Sequence, residues 1–277
     1  QRTATKIVPF GVYSGLFLHR VEYQGLEPGT EYALRIHTQD GATTHRFRTA
    51  PATLDEPLVF ATGGDVGTSE HVGQLHREAA KWSPAFGLVG GDCAYANGRT
   101  PQRWVEYLQI WRENMVDPEG RLIPMLCAIG NHEVDGGWGQ TRERAPLFLA
   151  MFDGLFPEHT YTVIDFGDYM SLVMLDSGHL CAHDGEQADW LEETLASRAD
   201  RDHLLTIYHV PAYPSHRDFD GQHSAQAREH WVPLFDKYGV DVSFENHDHT
   251  YKRTHHLTGG EPDPHGVLYL GDGCWGR

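Results

Sequence analysis

Gly63-Gly64-Asp65 closes the apolar run Leu58-Val-Phe-Ala61, and the same ending recurs as Gly90-Gly91-Asp92 after Phe86-Gly-Leu-Val89. A third apolar run, residues 122–128, leads into Gly130-Asn131-His132-Glu133; a fourth, 204–208, ends at His209; a fifth, 240–244, ends in Asn246-His-Asp-His249. Short apolar runs without polar alternation read as strands buried on both faces. Between them lie helical spacings. Val72, Leu75, Ala79 and Trp82 recur at helical intervals, and Thr100-Pro101 offers an N-cap and first-turn proline to a helix with Trp104, Leu108, Trp111 and Met115 on one face. Alternating strand and helix predict an α/β fold. In an open α/β sheet the carboxyl ends of the strands converge on one crevice, where ligands bind.

Outward from this centre, residues 161–166 and 169–175 predict a hairpin across Gly167-Asp168. Residues 187–197 predict a helix with Leu191 and Leu195 inward, 231–238 another helix, and 267–270 a last strand. The first fifty residues differ. Alternating runs at 18–23 and 32–36 flank Leu26-Glu-Pro-Gly-Thr-Glu-Tyr32, and Phe47 closes a third. Pro28-Gly29 is a tight-turn signal, and a turn ahead of a strand opening on Tyr32 is the pattern of a β-sandwich tyrosine corner. Three strands bury too little to close a sandwich, so residues 1–52 are expected to form a partial β domain. Thr49-Ala-Pro-Ala-Thr-Leu-Asp-Glu-Pro57 reads as a linker, and the α/β domain is expected over 58–277. No repeat of 20–50 residues interrupts this scheme.

The 277 residues are 40% hydrophobic, with 7 Trp, 12 Tyr and 12 Phe, enough for a sizeable core and against wholesale disorder. The 22 Lys+Arg against 39 Asp+Glu leave a charge of −17, which repels a nucleic-acid backbone. No uncharged apolar run approaches the roughly 18 residues of a membrane span. The chain opens on Gln1 with no basic-then-apolar leader, so it reads as processed, trimmed or a fragment. Four cysteines without a CxxC pair make neither a disulfide scaffold nor a zinc ribbon. Cys93 and Cys127, inside apolar runs, read as buried free thiols; Cys181 and Cys274 sit in loop-like surroundings, where a bridge stays open.

The chemistry lies at the strand ends. Asp65, Asp92 with Tyr95 three residues on, Asn131-His132, His209 and His247-x-His249 would all face one crevice, and five polar strand ends left unsatisfied would cost several kcal/mol. Singly, each has a plain structural reading: Gly-Gly-Asp is ordinarily a turn, a histidine after a strand a satisfied side chain, a nearby tyrosine core packing. Together they form a mixed oxygen and imidazole set, which suits Fe, Mn or Zn. Two carboxylates, a phenol, an amide and three or four histidines, seven ligands at the least, are too many for one tetrahedral ion with an open position. They suit two ions sharing a carboxylate, the arrangement used for displacement at phosphorus.

Gly64-Asp-Val-Gly67, Gly91-Asp-Cys-Ala-Tyr95, Gly130-Asn-His-Glu133, His209 and His247-Asp-His249-Thr-Tyr251-Lys-Arg253 resemble the purple acid phosphatases, within the calcineurin-like metallophosphoesterases. The likeness covers nearly the whole chain, and residues 26–32 and 47–51 resemble that family's fibronectin type III-like front domain. The resemblance implies a two-sheet sandwich under flanking helices that hydrolyses phosphate monoesters with a metal-activated hydroxide. Asp65, Tyr95 and His249 would hold Fe(III); Asn131, His209 and His247 a divalent Zn, Mn or Fe; Asp92 would bridge. His132 would touch substrate phosphate and protonate the leaving oxygen. A small phosphate ester is the implied partner, and a secreted or periplasmic setting the implied location. Asn246 departs from the family's usual Gly. The additional substrate histidines past His209 have no direct counterpart, with His216 and His223 as candidates and His216 the preferred helper. The chain also begins partway through the sandwich and ends at Gly271-Asp-Gly-Cys-Trp-Gly-Arg277, short of the family's C-terminal portion.

Two rivals stand beside this reading. A phosphodiesterase or phosphotriesterase keeps the fold, but Tyr95 favours the purple type. A noncatalytic phosphate-binding or adhesion module fits the front domain, but has no need of the full ligand set and His132.

Overall fold

The structure, a computed structural model, describes residues 6–11 and 13–277. Two hairpins come first. β1 (Lys6–Pro9) pairs antiparallel with β2 (Phe17–Arg20), and β3 (Glu31–Thr38) with β4 (Gly41–Arg48). They form two separate two-stranded sheets, and the strand expected over 18–23 stops at Arg20. Tyr32 stacks on Phe47 at 5.9 Å, and its hydroxyl accepts the Glu27 N–H at 2.8 Å across the Pro28-Gly29 turn. The second hairpin reaches the body of the molecule where Leu122 N–H donates to the Arg46 carbonyl at 2.7 Å.

Beyond the linker, β5 (Ala61–Gly63), α1 (Val72–Ala80), β6 (Gly87–Val89), α2 (Pro101–Asn114) and β7 (Met125–Cys127) alternate, giving a parallel sheet in the order β5-β6-β7. After α3 (Pro146–Phe152) come the β8 (Thr162–Phe166) and β9 (Met170–Met174) hairpin, α4 (Glu186–Ala196) and β10 (His203–Tyr208). Then follow α5 (Gln222–His230), α6 (Val232–Tyr238), β11 (Val242–Glu245), β12 (Tyr251–Thr258), β13 (Glu261–Pro262) and β14 (Val267–Asp272). These strands make a seven-stranded sheet ordered β13-β12-β14-β11-β10-β9-β8. Its centre, β14-β11-β10-β9, is parallel; the antiparallel strands lie at its edges.

The sheets face each other across rings: Phe86 stacks on Phe166 at 5.1 Å, and Phe60 meets Phe244 edge-on at 5.8 Å. Helices α1 and α2 cover the small sheet, so closely that a Cβ on Gly87 would lie 2.5 Å from the Trp111 indole. On the large sheet, Leu191 and Leu195 of α4 and Phe235 of α6 join Trp231 in a second apolar cluster with Val173, Leu204 and Tyr208. Truncating one such buried leucine costs about 2–5 kcal/mol. The α/β architecture of two sheets between helices matches the expectation.

Three local expectations need correction. In α1 the helical period holds but the phase is off by one: Val72, His76 and Ala80 are buried, whereas Leu75 and Trp82 are 41% and 77% exposed. His76 takes the core position edge-on to Trp111 at 5.0 Å, and burial lowers it to about 4, so it stays neutral. Helix α5 was not expected, because its polar sequence carries no apolar stripe; it docks through Ser224 and Ala227. Cys93 and Cys127 are buried free thiols as expected, and Cys181 and Cys274 are free as well, with no bridge between them.

Candidate metal centre

Five parallel strands bring their carboxyl ends to one crevice. Asp65 follows β5, Asp92 and Tyr95 follow β6, Asn131 and His132 open a short 3-10 turn after β7, His209 follows β10, and His247 and His249 follow β11. Asp65, Asp92, His209 and His247 are buried and place donor atoms within 4.8 Å of one another.

The donors fall into two triangles. Asp65 Oδ1 lies 3.1 Å from Tyr95 Oη and 3.1 Å from His249 Nε2, with Tyr95 Oη and His249 Nε2 3.3 Å apart. On the other side, His209 Nε2 lies 3.1 Å from Asn131 Oδ1 and 3.1 Å from His247 Nδ1. Asp92 Oδ2 comes within 3.2 Å of the same His209 nitrogen. Ligands ~2.1 Å from a first-row ion stand ~3.0–3.4 Å apart on the edges of its coordination shell. All six of these separations fall in that range, so these residues fit a metal ion on each side.

The backbone is strained toward this geometry. Asp65, Asp92, Tyr95 and His247 have φ of 56°, 53°, 53° and 66°, a left-handed conformation costing of order 1–3 kcal/mol at a non-glycine residue. Such strain persists only where the surroundings over-determine it. Here His247 N–H donates to Asp65 Oδ2 at 2.8 Å, joining the two sheets. His132 N–H donates to Asp92 Oδ1 at 2.7 Å, and the His209 Nδ1–H to Gly90 carbonyl bond at 2.9 Å turns Nε2 toward the cluster.

The glycines act differently from a simple tight turn. Gly91 does require its left-handed φ of 92°. Gly64 and Gly90 have no such φ and instead leave room for Asn246: a Cβ there would lie 2.6 Å from its Oδ1 and 1.7 Å from its Nδ2. Asn246 donates to the Tyr208 carbonyl at 3.1 Å. The residue that departs from the family pattern is thus wedged between the loops carrying Asp65 and Asp92.

The electrostatics call for positive charge. Burial disfavours the His209 cation, yet Asp92 and Asp65 outweigh it and push that imidazole up to about 9. Burial, Asp65 and Asp92 together hold the Tyr95 hydroxyl far above the usual phenol range. Without cations His209 and Tyr95 thus retain the very protons that ligation displaces.

Of the two expected substrate contacts, His132 is at the crevice. Its ring lies 4.3 Å from Tyr95, its Nδ1 is hydrogen-bonded to Asn97 Oδ1, and its Nε2 stands 3.8 Å from Asp92 Oδ2. The ring therefore leans over the cluster, and burial lowers its affinity for a proton. His216 is exposed; its backbone N–H donates to Asp248 Oδ2, and its ring makes no hydrogen bond among the described residues. His223 stacks on Trp138 and belongs to neither triangle.

Sequence reasoning passed over Glu133, His179 and Asp176. The buried Glu133 carboxylate accepts N–H groups of Asp92, Cys93 and Gly130 at 2.7–2.9 Å, fixing the loop that carries Asp92. Burial and Asp92 push it up to about 8. His179 is buried 5.6 Å from the His209 ring. Asp176, which pins the 179–181 loop through three backbone N–H groups, is a sixth polar strand end that the same rule identifies.

The sequence model of the calcineurin-like phosphoesterase family matches residues 38–251. An uncharacterized protein of Mycobacterium tuberculosis is 28% identical, covering 84% of this chain and 50% of its own. Probable purple acid phosphatase 20 of Arabidopsis thaliana is 27% identical over 90% of this chain and 58% of its own. The chain thus spans about half the length of the curated relatives it matches. A purple acid phosphatase from yellow lupin seeds has the same fold, with a TM-score of 0.71 at 20% identity over 94% of this chain and 52% of that one. No helix among the described residues is long and apolar enough to cross a membrane.

Proposed function

The chain belongs to the calcineurin-like phosphoesterase family, and on that premise we propose that it hydrolyses phosphate monoesters at a binuclear centre of purple acid phosphatase type. The observation that carries this reading is the pair of donor triangles flanking Asp92. In this reading Asp65, Tyr95 and His249 would hold Fe(III), Asn131, His209 and His247 would hold a divalent Zn, Mn or Fe, and Asp92 would be shared between them. Bound there, the two ions would lower the pKa of water and neutralise charge on the phosphoryl oxygens. Their four or five positive charges locally outweigh the −17 of the chain, so an anionic substrate is accepted.

The chain's own side chains supply the rest. Glu133 holds the Asp92 loop rigid, and His209 presents Nε2 because its Nδ1–H is committed to Gly90. Asn97 steadies the His132 ring, leaving Nε2 free to protonate the leaving oxygen as the P–O bond breaks. His216, on the loop after His209, is the helper in this scheme. The front hairpins belong to a partial fibronectin-like domain over 1–52, ahead of the catalytic domain at 58–277, and the Tyr32–Glu27 bond supports that assignment. A secreted or periplasmic setting goes with the same reading.

Metal analysis, a visible spectrum and turnover of p-nitrophenyl phosphate test it together. About two ions per chain, iron among them, with a phenolate band and hydrolysis are expected. A single zinc without a visible band sinks the purple assignment, and preference for bis(p-nitrophenyl) phosphate moves the chain to the phosphodiesterases.

A further inference from the structure

Two thiols that the chemistry above does not use meet behind the Asp92 loop. Cys127 ends β7, where it pairs with Val89 of β6. Four residues on from Val89, after a turn with left-handed φ at Gly91 (92°) and Asp92 (53°), the chain brings Cys93 back against it. The two Sγ atoms stand 2.7 Å apart across 34 positions of sequence, and both residues are fully buried. The backbone holds each in place. Cys93 N–H donates to Glu133 Oε1 at 2.9 Å and the Cys93 carbonyl accepts Gly67 N–H at 2.7 Å, while Ala128 N–H, next to Cys127, donates to the Val89 carbonyl at 2.8 Å. The other two cysteines have separate neighbours: Cys181 Sγ lies 3.4 Å from Thr160 Oγ1, and Cys274 Sγ 3.0 Å from Asp272 Oδ1.

We propose that Cys93 and Cys127, free in this structure, are a covalent modification site: folding in the presence of a small-molecule disulfide such as oxidised glutathione, they close a bond that ties the loop carrying Asp92 and Tyr95 to the strand leading to Asn131. The inference does not depend on the phosphatase reading. A disulfide places its sulfurs ~2.05 Å apart, so a pair at 2.7 Å needs a shift of side chains and no rearrangement of the backbone that holds them. No metal claims these sulfurs: among the described residues the group of donors able to hold an ion is Asp65, Asp92, His209 and His247, without a cysteine. The chemistry is thiol–disulfide exchange. One cysteine sulfur attacks the small disulfide, expelling one thiol and leaving a mixed disulfide; the other cysteine sulfur then displaces the second thiol and forms the Cys93–Cys127 bond. Two electrons pass from the cysteines to the small disulfide, and the two cysteine protons end on the two thiols released. Because both sulfurs are shut from solvent in the folded chain, the exchange precedes closure of the core over them.

The test uses the full chain and two routes to the folded protein. Reduced, unfolded chain is refolded in a glutathione redox buffer and, in parallel, in dithiothreitol; the chain is also exported to a bacterial periplasm and purified, which removes any dependence on refolding. Free thiols are then alkylated in guanidinium and the peptides mapped by mass. Glutathione buffer and export should each give two alkylated cysteines, Cys181 and Cys274, and a peptide linking Cys93 to Cys127; dithiothreitol should give four alkylated cysteines. Linking positions 93 and 127 should raise Tm by roughly 5–10 °C over the reduced protein, and oxidised and reduced preparations of Cys127→Ala should melt together. Four free thiols from both oxidising routes, a bond joining any other pair, or an oxidised protein that melts no higher than the reduced one overturns the proposal.

Discussion

Gly90→Ala probes how the two aspartate loops are held. The substitution is permitted by the backbone, since Gly90 does not have a left-handed φ, so its cost comes from contact alone. A Cβ would fall 1.7 Å from Asn246 Nδ2 and 2.8 Å from Oδ1. Asn246 cannot swing aside freely: it packs against Gly64, and its amide donates to the Tyr208 carbonyl. Overpacking costs about 1–3 kcal/mol, and losing the buried amide bond adds about 1–3 kcal/mol. The sum, about 2–6 kcal/mol, corresponds to a Tm lower by roughly 4–24 °C for a domain of this size. Calorimetry on Gly90→Ala, Asn246→Gly and the double variant measures it. Steric relief in the double variant should make its destabilisation smaller than the sum of the singles by at least about 1.5 kcal/mol. Metal content should fall in Gly90→Ala alone, because Asp92 lies two residues on. Simple additivity, or a Gly90→Ala protein with unchanged Tm, would refute the wedge.

Tyr95→Phe removes one oxygen donor and keeps the ring that packs on His132; loss of the visible band with retained fold and partial activity is expected, and a persistent band would place the phenolate elsewhere. Asp92→Asn cannot hold two cations as a carboxylate does, so both metals should weaken together in a dialysis titration; loss of one alone disproves a shared ligand. His132→Ala should slow alkyl phosphates about 10²–10⁴-fold while slowing p-nitrophenyl phosphate much less, with both metals retained. Equal slowing of the two substrates reduces His132 to a positioning contact, and leaving-group dependence in His216→Ala alone moves the acid to that loop.

Much of the site was legible because it obeys a strand-end rule. Asp65, Asp92, Asn131, His209 and His247 each close a run of apolar residues, and parallel strands necessarily deliver such endings to one edge. Period-based readings did well for the β8–β9 hairpin and α4, where alternation or a leucine spacing faces a single core. They failed for the phase of α1, because His76 is polar by composition yet apolar in use once burial keeps it neutral. They failed for α5 too, whose contacts are a serine and an alanine.

What the sequence determined by itself, then, is the alternation of strand and helix and the residue types at the strand ends, since both depend on local pattern and composition. Tertiary structure decided the rest. It sorted six donors into two triangles and set Asp92 beside His209, assigned Glu133 to three backbone N–H groups, filled the space above Gly64 and Gly90 with Asn246, and stacked Trp138, His223 and His183 beside the cluster. Apart from the Glu133 contact to Gly130, each of these joins residues tens to nearly two hundred positions apart. Their proximity follows from packing two sheets face to face, and no local propensity encodes a distance between side chains on different strands.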